Sequence, residues 1–235
     1  SHHGRILVLN RDCAKENTGH GSPLPLLTHG GPGRAGGGEE MGGMRGVLHY
    51  LQRCAIQGSP TTLTEITSIY QYGGQYKDPG VHPFRKYFEE LHVGETVITH
   101  NRTITESDIV QFANVSWDHF YAHTDVTSLE GTTFTQRVAH GYFVLSMAAG
   151  LFVDPGKGPV LLNYGLEECR FTKPVYAGMT LGVRLTVKEK LPVDPKEEDV
   201  IHKGIVKFLV DVFDETGETV AIATILTMVQ KRVSS

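Results

Sequence analysis

The stretch HGYFVLSMAAGLFV, His140 to Val153, decides the fold. It is apolar on every side rather than along one stripe, which predicts a helix buried all round. It is also well short of the roughly 20 residues that span a bilayer, so something within the chain must wrap it. Four strand-like runs follow it: PVLLNYGLEECRFT from Pro159, LGVRLTVK from Leu181, IVKFLVDVF from Ile205 and TVAIATILTMV from Thr219. The second alternates Leu181, Val183, Leu185 and Val187 with Gly182, Arg184, Thr186 and Lys188, the period of a strand with one buried face. The last two are joined by the turn DETGE and predict a hairpin. Together these runs predict an α+β fold, an antiparallel sheet wrapped around one central helix.

Upstream of the helix, VITHNRTI (Val97 to Ile104) reads as a strand. In TESD, Thr105 as N-cap and Asp108 three residues on match a capping box, opening a short helix through Ala113. The segment SWDHFYAHTD, Ser116 to Asp125, then falls in a loop between the capped helix and the buried one.

The first 46 residues have a different grammar. They hold twelve of the 27 glycines, including HGGPGRAGGGEEMGG from His29 to Gly43, a composition of turns rather than of a packed core. The chain opens on the strand-like SHHGRILVLN without an initiator Met, as a fragment would. Met44 to Ile56 places Val47, Leu48, Leu51 and Ala55 on one helical face, and GGQYKDPG, Gly73 to Gly80, reads as a linker. The expected organisation is therefore residues 1–72, a linker over 73–81, and one folded unit over 82–235.

Charge excludes some function classes. With 22 basic and 26 acidic residues the net charge is -4, and no cluster of Lys or Arg marks a nucleic-acid or anionic-membrane binder. With no membrane-length apolar run and no signal pattern, a soluble cytoplasmic protein is expected. Cys13, Cys54 and Cys169 form no CxxC pair, and the odd count argues for reduced, structural thiols.

The chemistry concentrates at Ser116 to Asp125. Asp118 and His123, five apart in a loop, can converge, and a carboxylate beside an imidazole is the minimal set for moving a proton of water. Such pairs also arise in solvated loops that do nothing. Gly141 stands at the predicted start of the buried helix, where unsatisfied N–H groups and the positive end of the dipole suit a developing oxyanion. His140 and Gly141 read equally well as a cap and a tight turn. Asp118, His119, His123 and Asp125 are all metal-ligand types, yet no HExxH helix or cysteine pair accompanies them, so no metal is expected.

These residues carry a resemblance. SWDHFYAHTD, AHGYFVLSMAAGL and RFTKPVYAGMTL together resemble the MaoC-like, R-specific enoyl-CoA hydratase family of hotdog folds. That family's signature runs Asp, any residue, Asn, Pro, an aliphatic residue, His. Asp118 and His123 match its catalytic pair and Ala122 its aliphatic place, whereas Phe120 and Tyr121 stand where Asn and Pro are usual. Met179 replaces the Asp that usually follows Gly in AGMTL, where a structural consequence alone is expected. HPFRKYFEEL, DHFYAH and HGYFVLSMAAGLFVD are further similar to the C-terminal domain of the bifunctional ring-opening enzymes of bacterial phenylacetate degradation. HGRILVLN, HGSPLP and HGGPGRAGGGEE are similar to the end of their aldehyde dehydrogenase domain.

The resemblance implies a hotdog fold preceded by an aldehyde dehydrogenase remnant. It implies hydrolytic ring opening of 2-oxepin-2(3H)-ylideneacetyl-CoA, with Asp118 and His123 activating water and Gly141 polarising the thioester carbonyl. Trp117, Phe120, Tyr121 and His140 would contact substrate. An acyl-CoA thioester is then the partner, and the substrate carries the CoA. No further cofactor is expected, NADP serving only the dehydrogenase of a longer parent. A homo-oligomer is expected, because a lone hotdog leaves a sheet edge open. The alternatives are an R-specific trans-2-enoyl-CoA hydratase, a thioesterase, and a non-catalytic acyl-CoA-binding or assembly module.

Overall fold

The computed structural model describes residues 5–16, 55–76, 80–195 and 200–232. The chain divides into two units, Ser1–Tyr76 and Lys77–Ser235. In the first, β1 (Arg5–Leu7) pairs in parallel with β2 (Ala55–Gln57), Ile6 opposite Ile56. Helix α1 (Pro60–Thr67) follows. Ser59 caps it by accepting the Thr62 N–H, Pro60 fits a first turn that needs no N–H, and a left-handed Ser68 ends it. Ala55 and Ile56 are thus strand rather than the end of a helix, because the β1 ladder satisfies their backbone. The remainder of the predicted helix, 44–54, and the glycine-rich run lie outside the described residues, as does Cys54; Cys13 and Cys169 are free thiols.

The second unit contains β3 (Thr96–Ile98), β4 (Arg102–Thr103), α2 (Glu106–Ser116), α3 (Tyr121–Thr124) and α4 (Gly141–Phe152). After them come β5 (Val160–Phe171), β6 (Thr180–Pro192), β7 (Lys203–Phe213) and β8 (Thr219–Gln230). The strands form one antiparallel sheet in the order β3-β6-β7-β8-β5, with β4 also on β6. The alternation of β6 appears as burial: Leu181, Val183, Leu185 and Val187 expose nothing to solvent. Each such side chain contributes roughly 1.5–3 kcal/mol by leaving water. The β7–β8 hairpin closes where the Asp214 carboxylate accepts the N–H groups of Thr216 and Glu218, with Gly217 at φ 86.

The sheet packs against α4 through Phe143, Val144, Met147, Ala148 and Phe152, which share a core with Leu185, Phe208 and Val210. This is the hotdog arrangement. Two expectations need correction. The helix is not buried all round, since Tyr142, Ser146 and Gly150 form an exposed stripe. One sheet covers one side of a helix, and residues four apart share the side left over. The strand expected over Val97 to Ile104 is two short pieces. Between them Thr99 bonds Val183 through both its N–H and its hydroxyl, at 3.0 Å each, so its side chain supplies one ladder bond.

The capping box of α2 forms as read: Thr105 accepts the Asp108 N–H and Asp108 accepts the Thr105 N–H. The helix runs past Ala113 to Ser116. Among the described residues no helix is long and apolar enough to cross a membrane.

Candidate active site

Helix α2 stops because Trp117 takes the left-handed conformation, φ 64, which turns the chain into Asp118. The Asp118 carboxylate then accepts the Phe120 N–H at 3.2 Å, an Asx turn that leads into α3. His123 was expected in a loop; it sits instead in this single helical turn, closed by the Asp125 N–H on the Tyr121 carbonyl. Val138 ties the turn down, its N–H donating to the Ala122 carbonyl at 3.0 Å.

The main chain sets both tautomers. His123 Nδ1 lies 2.6 Å from the Val138 carbonyl oxygen. A carbonyl only accepts, so Nδ1 carries the proton and Nε2 keeps the lone pair of a general base. His140 Nε2 lies 2.9 Å from the Asp118 main-chain oxygen and by the same reasoning carries that ring's proton. The two rings stack, centroids 3.8 Å apart and planes 25° from parallel. Burial pushes the His140 pKa below its ordinary value against the hydrogen bond the ring donates to Asp118, and His123 adds to the depression, so His140 is neutral at pH 7.

One carboxylate oxygen of Asp118 and one nitrogen of each ring lie within 4.8 Å of one another. A water bonded to two such atoms at about 2.8 Å each spans up to about 5.6 Å, so the spacing accommodates one water. The same three groups are metal-ligand types. An imidazole lone pair lies in its ring plane, however, and two rings stacked face to face do not aim theirs at one point.

Gly141 opens α4, where the first N–H groups have no carbonyl within the helix and His140 makes no side-chain cap bond. A Cβ added at Gly141 would lie 2.5 Å from the Phe171 ring. With glycine at this position the Phe171 ring can lie directly against the start of the helix, and any larger residue would have to displace it. Both residues border a cavity of about 300 Å³ that Val144, Val175 and Phe134 also line.

The structure brings Asp118, His123 and His140 together and sets Gly141 next in chain to His140. It does not put the three aromatics into that cavity. Trp117 is 85% exposed, Phe120 56% and Tyr121 39%. Phe120 lies tilted against Tyr121, centroids 4.5 Å apart, and meets His123 edge-on at 6.0 Å, so it flanks the base. Trp117 stands apart because the cap that ends α2 leaves its ring in solvent. His140, expected against substrate, is 1% exposed and bonded to the main chain, which leaves substrate no face to touch. Residue patterns missed Phe171, whose only signal was its place at the end of an apolar run. They also missed the Val138 carbonyl, a backbone atom that has no sequence signal.

Comparison with known proteins bears on this geometry. The family described as MaoC like domain matches residues 89–207. Protein MaoC of Klebsiella aerogenes is 57% identical over 188 residues, 80% of this chain and 56% of that protein. The chain thus spans little more than half the length of that relative. The (R)-specific enoyl-CoA hydratase of Rhodospirillum rubrum is 32% identical over 108 residues, 45% of this chain and 72% of the hydratase. Among solved structures, the monoamine oxidase regulatory protein from Archaeoglobus fulgius superposes with a TM-score of 0.58 at 32% identity, covering 63% of this chain and 96% of that one.

Proposed function

The chain belongs to the MaoC like domain family, and from that premise we propose that its second unit adds water to the β-carbon of an α,β-unsaturated CoA thioester. One observation carries the reading: the Asp118 carboxylate and the His123 ring converge at water-bridging spacing, with the proton of His123 fixed on Nδ1 and its Nε2 without a partner among the described residues. His123 Nε2 takes one proton from water as its oxygen attacks. Asp118 orients the water and helps return a proton to the α-carbon of the resulting enolate. The Gly141 N–H stabilises the negative charge on the thioester oxygen while it develops. One such donor lowers a barrier by about 3 kcal/mol, comparable with one general acid or base.

The substrate we favour is 2-oxepin-2(3H)-ylideneacetyl-CoA. Its β-carbon already carries the ring oxygen, so adding water gives a hemiketal. Loss of the hydroxyl proton forms the ketone, the ring C–O bond breaks, and its electron pair leaves as the enolate of an aldehyde. Protonation completes a ring-opened semialdehyde, one water consumed. Phe120 and Tyr121, in place of the family's Asn and Pro, offer aromatic surface to a flat unsaturated ring beside His123. Oxidation of the aldehyde with NADP is not part of this proposal for the chain.

Similarity to an (R)-specific enoyl-CoA hydratase favours a second reading, reversible hydration of a trans-2-enoyl-CoA. The addition step is the same, but the β-carbon then bears no leaving group and the hydroxyl stays. The chain should be assayed with the oxepin thioester and with crotonyl-CoA, following thioester products by mass and free thiol with a colorimetric reagent. Semialdehyde formation at a kcat/KM above that for crotonyl-CoA is the expected result. Turnover of crotonyl-CoA alone overturns ring opening in favour of hydration. Thiol release would make the protein a thioesterase, and binding without turnover an acyl-CoA-binding module.

A further inference from the structure

We propose that His140 is a positioning residue for the Asp118–His123 pair, holding the Asp118 main chain through its Nε2–H while its ring face backs the His123 imidazole. The inference rests on the reading above that this pair activates water. Three features single His140 out. It is the N-cap of α4 yet makes no capping bond, spending its side-chain donor across 22 residues on the Asp118 carbonyl. Its Nδ1 is buried with no partner among the described residues. Its other neighbour is Phe112, with centroids 5.1 Å apart, so it stands between the hydrophobic core and the base.

The unpartnered Nδ1 is informative because it is costly. A buried acceptor left unsatisfied lowers stability, and a phenyl ring of similar shape would fill this space without that cost. What phenylalanine lacks is the Nε2–H. That donor connects α4, anchored in the core by Phe143 and Val144, to a residue on an exposed turn. Asp118 is itself exposed, and its carboxylate has one partner among the described residues, the Phe120 N–H. Without the bond from His140, the turn between Trp117 and His119 loses its tie to the core and the carboxylate loses its register with His123.

Two variants separate the parts. His140→Phe keeps a ring against His123 and removes the donor. His140→Gln removes the ring and keeps an N–H able to reach the same carbonyl. With the thioester that wild-type protein turns over, His140→Phe is expected to lose about 100-fold in kcat with KM changed less than about two-fold, as a misplaced catalytic group does. His140→Gln is expected to recover to within about ten-fold of wild type. A second readout needs no substrate: backbone order parameters at the Asp118 and His119 amides should fall in His140→Phe and hold in His140→Gln. Wild-type kcat with unchanged order in a folded His140→Phe protein overturns the proposal. So does a loss confined to KM, or equal losses in both variants that follow the fraction folded. If wild type turns over no thioester while the order parameters shift as stated, the positioning role stands and the catalytic reading fails.

Discussion

His123 and His140 stack at 3.8 Å, and each gives its ring proton to a main-chain carbonyl rather than to the other ring or to a carboxylate. The tautomers are therefore set from outside the pair. His123 Nε2 and His140 Nδ1 are left as lone pairs, and His140 is buried, so His123 is the base that water can reach.

Removing that base should cost activity and little stability. His123→Ala and Asp118→Asn are each expected to lower kcat for the thioester by about 10²–10⁴-fold, the contribution of one general acid or base. Circular dichroism should show both variants folded, since Asp118 is exposed and His123 half-buried. Turnover near wild type in a folded His123→Ala protein would remove the proposed mechanism.

The fold should weaken as pH falls below neutrality because of His140. Burial holds its pKa below 6.5, His123 and His119 push the same way, and the Asp118 hydrogen bond and charge oppose them. In the unfolded chain the ring takes up its proton at the ordinary value. Over that window the unfolded state binds more protons, so this stability is complete above pH 6.5 and is lost as pH falls towards the folded value. The thermal midpoint of wild type should drop between pH 7.5 and pH 5 by more than that of His140→Phe. Equal drops would mean that His140 does not carry the effect.

At Gly141 the prediction concerns space. An added Cβ would meet the outer carbons of the Phe171 ring, a half-exposed side chain able to swing away, so Gly141→Ala should fold. The displaced ring and the new methyl group then crowd the cavity beside the helix N-terminus. Loss of kcat/KM by about 10²-fold is expected, the scale of one oxyanion donor. Alanine keeps the N–H at 141, so pairing Gly141→Ala with Phe171→Ala should relieve the crowding and restore both the melting temperature and most of the rate. A double variant that melts like wild type yet stays as slow as Gly141→Ala would show that crowding by Phe171 is not the cause of the loss.

How much of this was legible beforehand follows from what each feature is made of. The β6 alternation and the Thr105–Asp108 cap are local patterns of side chains, and both appear as read. The Asp118–His123 pair was legible because its members are five residues apart. The role of His140 was not, because it depends on a bond to a main-chain oxygen 22 residues away, and every residue has such an oxygen. The exposed stripe of α4 was hidden for another reason: Tyr142 looks buried in an apolar run, and only the sheet's one-sided packing shows that it is 71% exposed.

That stripe and the sheet edge lead to a prediction about assembly. β5 is the last strand of the sheet, and its neighbours Leu161 and Leu162, which point to opposite faces, are 37% and 47% exposed. Tyr164 and Leu166 are exposed as well, and a groove of about 390 Å³ runs between α4 and β5 past Leu145, Ala149 and Leu166. A strand of twelve residues with an open ladder and apolar side chains on both faces is a pairing site. A second copy of the chain fits it best, because an antiparallel edge can pair with itself about a twofold axis, so that two copies satisfy this edge in each other. Light scattering on the eluted protein should give twice the chain mass at micromolar concentration. Leu162→Lys with Leu166→Lys alters only exposed positions and should yield a folded monomer, two lysines on one edge opposing their symmetry mates. A wild-type monomer, or a dimer indifferent to both lysines, would exclude β5 as the contact.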